Sequence, residues 1–246
     1  MNSDTNRAPR PPRSWDNPCV RATLEPSTEG DFLSMSTKIM PESEALSLFF
    51  CGAAKNADGV TVESGFRHAL NEARVATGRD PDTGSKTNPQ LHGSWIGAIG
   101  YFTLLDQISD CFRPKGVASS QYKDLRTALE HFTPLDAPKR DALYALRNAF
   151  THDYSLYNIG KPPLTHHFSV TRGAAIGAVV ILPKTAWDGD YMNRVPDNQT
   201  TVNLAVFGDL VEDVVATILS LHTAGNLEIA LKDGSDELVC RYLFRY

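Results

Sequence analysis

Apolar residues recur at the helical period through most of positions 41–160. Leu46, Phe49 and Phe50 follow Pro41, Glu42 and Glu44, a proline and acids where a first helical turn favours them. Phe66, Leu70 and Ala73, spaced by four and three, predict a second helix over 62–77. Residues 94–112 are more apolar still. Trp95, Ile96, Ile99, Phe102, Leu104, Leu105 and Ile108 leave little polar face, so this segment reads as a helix buried nearly all round, the hub of a bundle. Asp106, Gln107 and Asp110 interrupt it, which removes a membrane-spanning reading. An amphipathic helix is expected over 119–132, carrying Tyr122, Leu125, Leu129 and Phe132 and stopped by Pro134. Another opens at Asp136, with Pro138 in its first turn and Leu143, Leu146 and Phe150 toward the core.

The pattern changes after Gly160. Short β-branched runs predict strands over 167–171, 178–182 and 201–207, and Leu210, Val211, Val214, Val215, Ile218 and Leu219 predict a helix over 209–221. Residues 237–246 alternate like a strand, with a helix as the alternative. The expectation is a mainly α fold: a disordered, Pro- and Arg-rich tail over 1–30, a helical bundle over 40–160, and a small C-terminal α/β addition over 161–246 packed on the bundle. A turn is expected at 56–59, and the polar, breaker-rich stretch 78–93 reads as a functional or mobile loop.

Charge narrows the partners. A net charge of −5 and a pI near 5.8 argue against a generally basic nucleic-acid binder. A local basic stretch remains: Arg113, Lys115, Lys123, Arg126, Lys139, Arg140 and Arg147. It reads either as an RNA-facing patch or as solvated helix faces. The four cysteines stand apart in sequence, without a C-x-x-C pair, and no long apolar leader is visible, so a reduced, cytoplasmic setting is the default. His166-His167 opens a strand, where neighbours face opposite sides, so a metal pair is disfavoured. No cofactor or metal is expected, and no Gly-rich phosphate loop is present.

The chemistry concentrates at the end of the helix that opens at Asp136, in L-R-N-A-F-T-H-D-Y. Arg147 and His152 form an R-x4-H pair, and Asn148 follows the arginine. An arginine fork grips phosphate oxygens, and histidine moves a proton near neutral pH. On one helix the two lie about 140° apart in azimuth and roughly 7.5 Å apart in rise. They can meet on one ligand only if the helix tightens or ends there, or if a second chain completes the site. Seven histidines and 15 arginines give about 0.4 such pairs by chance, whereas the chain holds two. The second, Arg126 and His131, is an internal control. The plain alternative for Arg147 and His152 is a basic helix C-terminus complementing the dipole.

With these residues in place, the block R-N-A-F-T-H resembles the motif of the HEPN family, helical domains of many prokaryotic ribonuclease toxins and some nucleotide-binding proteins. The resemblance runs over about half the chain, roughly residues 42–157, and is carried mainly by Arg147, Asn148 and His152. It implies a metal-independent endoribonuclease in which the RNA 2′-hydroxyl attacks the adjacent phosphate. It also implies a homodimer with the two motifs facing each other, and possible work as a toxin or defence component beside an antitoxin or regulatory protein. Arg147, Asn148 and His152 would then be catalytic, with Asp106, Asp153 and Tyr154 in support. The alternative is a non-catalytic module of the same shape that binds nucleotide, RNA or a protein partner.

Overall fold

The computed structural model describes residues 41–51, 53–55, 61–173 and 176–245. The expected tail over 1–30 and the turn at 56–59 lie outside them. In chain order the helices are α1 (Glu42–Cys51), α2 (Gly65–Ala76), α3 (Trp95–Cys111), α4 (Leu125–Phe132), α5 (Ala137–Asp153), α6 (Leu204–Thr223) and α7 (Gly234–Tyr242). The strands are β1 (Ala53–Lys55), β2 (Thr61–Ser64), β3 (Phe112–Pro114), β4 (Tyr157–Ile159), β5 (Thr165–Thr171), β6 (Val180–Ile181), β7 (Thr200–Asn203), β8 (Leu227–Ile229) and β9 (Leu243–Arg245). None of the described helices is long and apolar enough to cross a membrane.

The expectation of a mainly helical bundle with a small α/β addition is corrected. Among the described residues the strands form three sheets, ordered β1-β2-β9, β3-β8 and β4-β5-β7-β6, so the fold is an α/β mixture. Two of these sheets stitch the first half of the chain to its end: β2 pairs with β9, and β3 with β8, both antiparallel. Such pairings join distant segments, and three-residue strands carry too few positions to show an alternating pattern. Elsewhere the helix expected over 119–132 is shortened to α4, and the strand expected over 201–207 turns helical at Leu204, where Asn203 caps α6 by accepting from the Ala205 and Val206 amides. The stretch 237–246 divides into the end of α7 and then β9.

The hub is where the apolar pattern places it. Tyr101, Phe102, Leu104, Leu105 and Ile108 of α3 are fully buried. Phe102 meets Phe207 of α6 at 4.4 Å between ring centres. A Cβ on Gly97 would strike Thr77 at the end of α2, so the close crossing of α2 and α3 requires glycine there. One polar stripe escapes burial on α3: Thr103, Asp106, Gln107 and Asp110, at i, i+3, i+4 and i+7.

Loop 78–93 is pinned rather than free. Arg74 of α2, only 3% exposed, donates to Pro81 and Asp82 carbonyls at 2.8 and 3.1 Å and holds Glu212 of α6 at 2.7 Å. Tyr101 donates to the same carboxylate at 2.8 Å. Arg79 and Lys86 both grip Asp209 of α6, at 2.7 and 2.8 Å. Cys111 and Cys240 are free thiols, while Cys51 is disulfide-bonded, which the spacing of the cysteines gave no reason to expect. Removing one partner of the buried Arg74–Glu212 pair strands a charge, so Glu212→Ala should cost about 3–5 kcal/mol in urea unfolding. A loss below about 1 kcal/mol would show that the loop and α6 are held by apolar packing instead.

Candidate functional site

Asp136 caps the start of α5 by accepting from the Lys139 amide at 3.1 Å, and Pro138 occupies the first turn. Leu143, Leu146 and Phe150 are buried, which fixes the roll of the helix on the hub. The helix ends at Tyr154 in the left-handed conformation, φ 48° and ψ 43°. Ser155 then donates back to the Ala149 carbonyl at 3.0 Å and Tyr154 to Phe150 at 3.2 Å, a Schellman closure. A non-glycine residue here is costly. Its ring offsets that cost by packing 5.2 Å from Trp95, which itself stacks on Phe150 at 4.8 Å.

Arg147 leaves this helix toward α3. Its Nε donates to Asp106 Oδ2 at 3.0 Å, Nη2 stands 2.8 Å from the same oxygen, and Nη1 donates to Asn148 Oδ1 at 3.1 Å. A guanidinium carries five N–H donors, so one on each terminal nitrogen is left over, and the side chain keeps 29% of its surface exposed. Asp106 works twice, because its Oδ1 also accepts the first amide of α4, Leu125, at 2.9 Å. Burial pushes the Asp106 carboxyl above its ordinary range, while Arg147 and the Leu125 amide pull it back in part.

The control pair behaves differently. Arg126 lies between the rings of Tyr122 and Tyr144, at 4.1 and 4.2 Å, and bonds both Asp124 and Asp141. Its fork is spent on the fold. The basic stretch is mostly neutralised as well. Arg113 pairs with Glu228, Lys139 with Asp136, Arg140 with Glu130, and Arg126 and Arg147 as above, so five of the seven cations of that stretch face carboxylates.

His152 is exposed in the last turn of α5, with no hydrogen bond or ion pair among the described residues. Asp153 is exposed beside it. Because α5 stays helical through Asp153, Arg147 and His152 keep their separation round the helix. Within one chain, then, Arg147, Asn148 and Asp106 come together, Tyr154 closes the helix, and His152 and Asp153 stand apart. His166 and His167 have separate uses: the first contacts Thr200 Oγ1 at 2.9 Å and the second Asn198 Oδ1 at 2.6 Å.

Arg147 opens on a cleft of about 590 Å³ between α2, α3, α5 and the β2–β9 edge. His68, Gln107, Asp110 and Phe244 line it, and none was singled out as a site residue from sequence. The stripe on α3 was a legible signal for Gln107 and Asp110. His68 and Phe244 reach the cleft only through the crossing of α2 on α3 and the pairing of β9 with β2.

Two outcomes follow for Asp106. Asp106→Ala should lose about 1–2 kcal/mol, since it strips an acceptor from the first turn of α4 and a partner from Arg147, read by urea unfolding. With its folded pKa raised, Asp106 takes up a proton earlier than an ordinary aspartate as pH falls. Its stabilising contribution is therefore present on the acid side and lost as pH rises. Protonation also removes the competing anion from Arg147. Sulfate should thus bind more tightly as pH falls through that raised range, and Asp106→Asn should bind it tightly throughout, by calorimetric titration. No family model, curated protein or solved structure matches the chain.

Proposed function

We propose that this chain is a HEPN-like, metal-independent endoribonuclease that acts as a homodimer. The observation that carries the reading is the contrast between the two R-x4-H pairs. Arg126 is consumed by two carboxylates and two rings, whereas Arg147 is held rigid by Asp106 and Asn148 with two N–H donors to spare and a cleft in front of it. Two terminal N–H groups suit two oxygens of a phosphate. Their aim is set by a helix packed on the hub, and such preorganised donors are the largest lever on a developing phosphate charge.

His152 supplies the proton chemistry. In the proposed reaction the 2′-hydroxyl loses its proton, its oxygen bonds to phosphorus, and the 5′-oxygen leaves with a proton, giving a cyclic phosphate and a 5′-hydroxyl end. His152 is exposed and unpaired at the helix end, so it is accessible to a substrate lying across the dimer. The separation of Arg147 and His152 within one helix is the reason a second copy is needed: the arginine of one chain would work with the histidine of the other.

A second reading is a non-catalytic module that binds nucleotide or RNA. It is favoured by the Asp106 carboxylate, which cancels much of the charge on Arg147. RNA cleavage in EDTA separates the two. The nuclease reading predicts cyclic phosphate ends with wild-type protein and a loss of about 10²–10⁴-fold in His152→Ala. Arg147→Ala should lose at least as much. Binding without cleavage by the wild-type protein would support the second reading, and cleavage unchanged in both variants would overturn the first.

A further inference from the structure

We infer that the cleft beside Arg147 is a base pocket selective for guanine, and so that the chain acts on RNA at guanine nucleotides. The inference rests on reading Arg147 as the phosphate-binding group. The cleft, about 590 Å³, falls in the range of small-ligand sites, roughly 300–1,000 Å³. Its wall carries one cation, Arg147, already paired with Asp106, and two further carboxylates, Glu63 of β2 and Asp110, one helical turn beyond Asp106 on α3. These carboxylates would repel a phosphate, so the anionic part of a ligand is confined to Arg147 and the neutral base falls among the acids.

Phe244 supplies a stacking surface. It lies opposite Glu63 in the β2–β9 pairing. Its ring is seated over Gly65, where an added Cβ would come within 2.7 Å of the ring. Despite that seat it is 49% exposed, and it lines the cleft. An open aromatic ring next to a phosphate-gripping arginine matches how single-stranded nucleotides are held.

The carboxylates choose the base. An ionised carboxylate only accepts hydrogen bonds. Guanine places an imino N–H and an amino group side by side on one edge, two donors that one carboxylate can take together. Adenine and cytosine offer an amino group without the adjacent N–H, and uracil a single N–H flanked by carbonyls. Asp110 is half exposed and, among the described residues, held only by one long ion pair. Its nearest cation, Arg241, stands 3.8 Å away and is bonded to Glu237 at 2.9 Å.

The test is calorimetric titration of the full chain with the four 3′-mononucleotides. The expected result is 3′-GMP binding about tenfold or more tightly than 3′-UMP, the discrimination of one good bidentate contact. Asp110→Asn swaps an exposed carboxylate for its isostere and should erase most of that preference. Phe244→Ala should weaken all four, as should Arg147→Ala. Equal binding of all four, a guanine preference untouched by Asp110→Asn, or binding of spermidine in place of nucleotides would overturn the inference. Guanine-selective binding without RNA cleavage would leave the pocket standing and remove the nuclease. Cleavage in EDTA with no preference for guanine at the cut would do the reverse.

Discussion

One carboxylate decides how the two halves of the site meet. Asp106 sits on the polar stripe of a largely buried helix whose first turn leaves Ile96 exposed, accepts the first amide of α4 with one oxygen, and holds Arg147 of α5 with the other. Three helices are thereby tied to one another at one point, in addition to their apolar packing. The cost is carried by the carboxyl itself, which burial pushes toward its neutral form. The arrangement holds Arg147 between two partners and leaves it partly exposed, which on the proposed reading suits one well-placed phosphate better than anions in general.

That balance bears on how a protein of net charge −5 would handle RNA. Nonspecific affinity for nucleic acid scales with free cations facing the phosphates. Here Arg113, Arg126, Lys139 and Arg140 are spent on internal carboxylates. On the proposed reading, recognition would come from a few directed contacts, a fork for the phosphate, a ring for stacking and an acceptor for the base edge. Selectivity for a site then comes at the expense of affinity for any sequence.

The helices were legible because their cause is local. The period of Phe102, Leu105 and Ile108 marks the hub, and Asp136 with Pro138 marks the start of α5. The sheets were not, since β3 and β8, or β2 and β9, acquire their identity only by pairing across more than a hundred residues. Loop 78–93 read as functional or mobile because the sequence does not reveal that Glu212 and Asp209 wait for it on α6. In the site, Arg147 and Asn148 are visible as a motif and Asp106 as an acid in an apolar run. The two R-x4-H pairs look alike on paper, and what tells them apart is tertiary: two carboxylates and the rings of Tyr122 and Tyr144 around Arg126, a cleft beside Arg147.

The central claim is that Arg147 of one copy works with His152 of another. Co-expressing Arg147→Ala and His152→Ala chains with different tags, then purifying the mixed species, tests it most directly. Each variant alone should be inactive on RNA in EDTA, and the mixed dimer should regain activity, because it rebuilds one arginine and one histidine across the interface. A mixed dimer that forms and stays inactive would contradict the account.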